Sequence, residues 1–74
     1  MDLYWGIRMK VIDPDSMLVN QYHIHTAYSR RQAESEITML WSTGKALEMF
    51  AEVEVVHSAQ ITGPWYNDSE GEVA

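Results

Sequence analysis

Six consecutive residues, Tyr28-Ser29-Arg30-Arg31-Gln32-Ala33, constrain this chain more than any other segment, because together they specify the start of a helix. Ser29 is a good N-cap: its hydroxyl can accept from a backbone N–H of the first turn. Gln32, three residues on, can reach back to the Ser29 amide and complete a capping box. Tyr28 before the cap and Ala33 after it occupy the positions of a hydrophobic staple. Ala33, Ile37, Leu40 and Trp41 then recur at i, i+4, i+7 and i+8, one apolar stripe, with Glu34, Ser35, Glu36 and Thr38 toward water. Gly44 can take the left-handed conformation that ends a helix. The spacing predicts roughly fourteen residues of helix, an ordinary length. Ala46 and Leu47 either extend it or belong to a loop.

The flanking segments follow a different period. In 3–12, Leu3, Trp5, Ile7, Met9 and Val11 alternate with Tyr4, Gly6, Arg8, Lys10 and Ile12, the signature of a half-buried strand. Asp13-Pro14-Asp15-Ser16 breaks it, since proline fixes φ and the short polar side chains close local turns. A second, weaker strand runs over 18–27, with Leu18, Asn20, Tyr22, Ile24 and Thr26 on one face. Val19, Gln21, His23, His25 and Ala27 take the other. A third begins between residues 46 and 49. Met49, Ala51, Val53, Val55 and His57 should meet the helix, with Phe50, Glu52, Glu54, Val56 and Ser58 looking out.

These elements predict an α+β fold of ββαβ type. A short turn makes strands one and two an antiparallel hairpin. The helix then returns the chain so that strand three pairs antiparallel with strand one, giving the order 2-1-3. One helix packs on one face and leaves the other face in water. Residues 1–62 read as a single domain. Gly63-Pro64 stops the last strand, and 63–74 reads as an acidic, disordered tail carrying Trp65 and Tyr66 as a clip or an exposed anchor.

Composition narrows the function classes. The 74 residues contain no cysteine, which removes disulfides, thiolate zinc sites and cysteine nucleophiles. Three tryptophans, four tyrosines and five methionines must supply most of a small core, and any surplus is available for an interface. No apolar run reaches the roughly 20 residues that span a bilayer, and Met1-Asp2-Leu3-Tyr4-Trp5 lacks the basic start of a secretory signal. A cytoplasmic location is the expectation. Eleven acidic residues against five basic ones give a formal charge of −6. That argues against direct binding to nucleic acid or to an anionic membrane, and it suits a protein partner.

Candidate chemistry is sparse. His23 and His25 are two apart on a strand and point the same way, half of a metal site that still needs a third ligand. By parity His57 points away from them, and Glu52 and Glu54 lie beyond the first strand, so two solvent-exposed histidines are the simpler reading. Arg8 and Lys10 should stand opposite Glu52 and Glu54 as cross-strand ion pairs. Arg30 and Arg31 sit in the first helical turn, against the helix dipole, where they can grip a carboxylate or phosphate. No nucleophile–base pair and no glycine-rich phosphate loop can be assembled, and no motif calls for a cofactor. An enzyme is not expected.

The plan of a hairpin, a helix introduced by Ser29-Arg30-Arg31-Gln32-Ala33-Glu34 and a strand Phe50-Ala51-Glu52-Val53-Glu54-Val55 resembles very small phage-encoded proteins. Some anti-CRISPR proteins and a phage inhibitor of bacterial RNA polymerase share this layout. The resemblance spans 3–58 in architecture only. It implies stoichiometric binding to a host protein, or obstruction of its nucleic-acid surface, without catalysis. The expected contact residues are Tyr4, Arg8, Lys10, Glu52, Glu54, Trp65 and Tyr66, with Arg30 and Arg31 as an outlying patch. Three alternatives stand beside this: a nucleic-acid mimic using Glu48, Glu52, Glu54, Asp68, Glu70 and Glu72; a homodimer joined through a sheet edge; and a metal-dependent activity at His23 and His25.

Overall fold

The computed structural model describes residues 3–67. Three strands, β1 (Tyr4–Val11), β2 (Tyr22–Ala27) and β3 (Phe50–Ser58), form one antiparallel sheet in the order β2-β1-β3. Helix α1 (Arg30–Glu36) packs over β1, where Ala33 joins Ile7 and Met9 in the buried core. Ala27, Ile37, Trp41, Phe50, Val53 and Val55 pack around that cluster. The α+β class, the ββαβ plan and the strand order therefore hold.

The start of α1 is capped as its sequence requires, with one change of partner. Ser29 Oγ accepts from the Gln32 amide at 3.1 Å. The Gln32 carboxamide oxygen, however, accepts from the Tyr28 amide at 2.6 Å, one residue before the cap. No staple forms: Tyr28 is 95% exposed.

The expected fourteen-residue helix is interrupted. After seven residues α1 widens into a π turn over Ile37–Trp41, and a separate short helix, α2 (Lys45–Met49), follows. Hydroxyl groups compete for the backbone at this point. Ser42 donates to the Ile37 and Thr38 carbonyls at 2.8 and 3.2 Å, Thr38 to Glu34 and Thr43 to Met39. The wider turn shifts the helical phase, so Ile37 and Trp41 face the sheet while Leu40, expected in the stripe, lies exposed. Gly44 does have positive φ, but with ψ −138° it leads into α2 instead of closing α1 in the left-handed conformation.

Strand β2 starts four residues later than expected. Two local turns occupy the connection: Ser16 donates to the Asp13 carbonyl, Leu18 to Ser16 Oγ and Gln21 to the Leu18 carbonyl. Register then decides its faces. His25 stands opposite Ile7 and His23 opposite Met9, so both histidines lie on the helix side, and Tyr22, Ile24 and Thr26 lie on the open side with Lys10, Arg8 and Gly6. This corrects the expectation that the two histidines look into solvent on the face away from His57.

Strand β3 carries a bulge that strict alternation could not reveal. Arg8 pairs with Glu54 but Lys10 pairs with Ala51, a step of three residues against two. The extra residue reverses parity, so Phe50 packs inward with Val53 and Val55, contrary to its expected outward position. Glu52, within the bulge, sits at φ +55°, a conformation that costs a non-glycine residue roughly 1–2 kcal/mol. Glu52→Gly should relieve that strain at some cost in chain entropy, for a net gain of about 0.5–1 kcal/mol. A rise in the urea midpoint at unchanged m-value would register it.

The sheet's second face is not bare. Val56 and Ser58, opposite Gly6 and Tyr4 on that side, are buried. Past Ser58 the chain turns and runs back, and Tyr66 bonds His57 in both directions at 2.8 and 2.9 Å along the outer edge of β3. Residues 63–67, assigned to a free tail from the sequence, thus lie against the sheet. Trp65 reaches Gly6, where an added Cβ would come within 3.4 Å of its ring. The remainder of the expected tail lies outside the described residues, with Asp68, Glu70 and Glu72.

Candidate functional site

The open side of the sheet collects most of the residues singled out from the sequence. Arg8 anchors it. Its Nε and Nη2 donate to Glu54 Oε2 at 3.2 and 2.9 Å, and its Nη1 to the Trp65 carbonyl at 3.3 Å. The guanidinium also lies over the Tyr22 ring, 5.8 Å from its centre. Asn67 donates to the other Glu54 oxygen at 2.7 Å. Only 18% of the Arg8 side chain remains exposed, so this network chiefly clamps the returning chain to the sheet.

Lys10 and Glu52 form a looser pair at 3.8 Å, and the Tyr22 hydroxyl lies 3.5 Å from Glu52. At that separation, with Lys10 partly and Glu52 largely exposed, the pair contributes little to stability. The expected cross-strand pairing of Arg8 with Glu54 and Lys10 with Glu52 is therefore present, one tight and one loose. Both carboxylates stand beside a cation, which weakens them as stand-ins for phosphates. Exposed Tyr4, opposite Ser58, lies at the end of the open face, whereas exposed Tyr66, opposite His57, takes the helix-side face and does not join this group.

Trp65 is half-buried on the face, and backbone geometry at Gly63 allows it to fold back. Gly63 has φ +87°, and a Cβ there would stand 2.9 Å from Trp65 Cδ1. The sequence alone groups Trp65 with the acidic residues that follow it. The overlooked signal was the lack of a side chain at both Gly6 and Gly63.

The arginines of α1 lie elsewhere. Arg30 pairs with Glu34 at 3.0 Å and lies over the Trp5 ring on the helix side, and Arg31 is exposed. Neither joins the open-face group. His25 is packed beside Trp41, ring centres 5.6 Å apart, with its Nε2 3.3 Å from Glu36 Oε1. It is therefore not the free histidine that its spacing suggested, although His23 is exposed. His57, opposite Trp5, also lies on the helix side, but along β3 with β1 between it and the other two.

No family model matches the chain, nor does any curated protein or solved structure. Its functional reading rests on this geometry. Among the described residues, no helix is long and apolar enough to cross a membrane.

Proposed function

We propose that this chain is a small, non-enzymatic interaction module that acts by stoichiometric binding to a protein partner, in the manner of phage proteins that inhibit a host macromolecular machine. One observation carries the reading. Among the described residues, five apolar side chains form the buried core, whereas thirteen large hydrophobic or aromatic ones are exposed. A chain this small stabilises itself by burying apolar surface, so leaving so much outside is costly in isolation and useful at an interface.

The open face is the favoured contact. It presents Tyr22, Lys10 and Glu52 around a rigid Arg8–Glu54 clamp, with Tyr4 at one end. Aromatic side chains surrounded by polar groups are the usual source of binding energy between proteins. The strained backbone at Glu52 lies within this face, where such strain commonly serves function. Nucleic-acid mimicry is less well supported, because Glu52 and Glu54 are charge-paired.

Affinity capture from a lysate of the organism that encodes the chain, with Tyr4→Ala, Tyr22→Ala and Lys10→Glu variants, tests the proposal. Each substitution should reduce recovery of the captured protein at least tenfold, and Thr38→Ala on the helix should not. Loss of capture on raising salt, with no response to the tyrosine variants, would favour mimicry. Equal capture by all variants would overturn the open face as the contact.

A further inference from the structure

Among the described residues, strand β2 is the free edge of the sheet, and its backbone direction can be worked out. His57 exchanges both backbone bonds with Tyr66 on the outer side of β3. Its partner Trp5 therefore turns its own backbone groups toward β2, and so do Ile7 and Met9. By alternation Tyr22, Ile24 and Thr26 point their N–H and C=O groups outward. Residues 22–27 contain no lysine, acidic residue or proline, the features that usually protect an edge from pairing.

The strand is also suited to pairing with itself. Antiparallel pairing about a two-fold axis through Ile24 sets Ile24 opposite its copy and Tyr22 opposite Thr26, all with outward backbone groups. His23 of each copy then faces His25 of the other in a non-hydrogen-bonded pair, where Cα atoms approach to about 4.5 Å. Both histidines lie on the helix side. The two copies of β1 would be three strand spacings apart, about 14 Å, which exceeds the 8–10 Å that two packed helices need. The α1 helices over them do not collide.

Glu36 supplies the missing ligand. Two donors on one tetrahedral zinc ion, at bonds of about 2.0–2.1 Å, lie about 3.3 Å apart, and His25 Nε2 and Glu36 Oε1 are separated by 3.3 Å. They border a concavity of about 290 Å³ between β2 and α1. Among the described residues, no three metal-ligating side chains meet within one chain; His23 of a second copy would be the third. We propose that this protein binds zinc(II), or a divalent ion of the same coordination chemistry, in two equivalent sites that exist only in a two-fold dimer paired along β2. Each site uses His25 and Glu36 of one copy and His23 of the other, with a fourth position for water. The two ions offset the repulsion between chains of formal charge −6.

The test uses the full chain, freed of metal with EDTA, and zinc chloride as the probe. Sedimentation velocity at micromolar protein should show a monomer without zinc and a doubled mass with one equivalent of zinc per chain. His23→Ala and His25→Ala should each stay monomeric in zinc. Their equimolar mixture should regain a dimer holding one zinc, because intact His23 lies on one chain and intact His25 with Glu36 on the other. That recovery also shows that both variants are folded. Absence of zinc binding, zinc binding without a change of mass, failure of the mixture to recover, or a zinc-independent dimer would each overturn the proposal.

Discussion

Ile7→Ala is expected to remove about half of the protein's stability or more. Ile7 is fully buried in the middle strand, in the cluster that joins β1 to α1. Truncating a buried isoleucine costs roughly 2–5 kcal/mol, the transfer energy of the lost atoms plus the cavity left behind. A chain of 74 residues has a total of only about 4–11 kcal/mol to lose. No disulfide is available to limit the damage. The urea midpoint should fall steeply, and part of the population should be unfolded without denaturant. Leu40→Ala is the control. A regular helix would place Leu40 in the same apolar stripe as Ile37 and Trp41, and its truncation would then be costly. The π turn puts it outside, where the change should stay within about 0.5 kcal/mol. Equal losses from the two variants would contradict the shifted phase.

That contrast marks how far the fold could be read from residues alone. The cap at Ser29, the alternation of β1 and the turn after Ile12 are local features, each set by neighbours within about four positions. They were legible and led directly to the strand order. The π turn, the bulge at Glu52 and the facing of His23 and His25 are not local. Each depends on which of two acceptable registers packs better against a distant element. In β3 strict alternation of Phe50-Ala51-Glu52-Val53-Glu54-Val55 sets Phe50 outward with Glu52 and Glu54, whereas the bulge turns Phe50 inward against Trp41, with ring centres 5.4 Å apart. The Arg8–Glu54 pair was legible because it survives the bulge. Its closure by Asn67 and the Trp65 carbonyl was not, since nothing near residue 65 signals which part of the sheet it will meet.

Trp65→Ala should release the returning segment while leaving the sheet folded. Trp65 is half-buried over Gly6, its carbonyl accepts from Arg8, and the residue after it holds His57 by two backbone bonds. Removing a fully buried tryptophan side chain costs about 3–5 kcal/mol, so a half-buried one should cost roughly 2 kcal/mol, most of it local. The Tyr66 and His57 amides report this directly, because each donates to the other's carbonyl. A loss of 1.4 kcal/mol is tenfold in an opening equilibrium, so both amides should exchange with solvent at least tenfold faster. The amides that join β1 to β2 should change only by the drop in global stability. Gly6→Val ought to act more severely, because a side chain there meets the His25 carbonyl at 3.0 Å and Ile24 at 3.2 Å as well as the Trp65 ring. It would disturb β2 and the returning segment together. Unchanged protection at Tyr66 in Trp65→Ala would mean that the backbone bridge alone holds the segment.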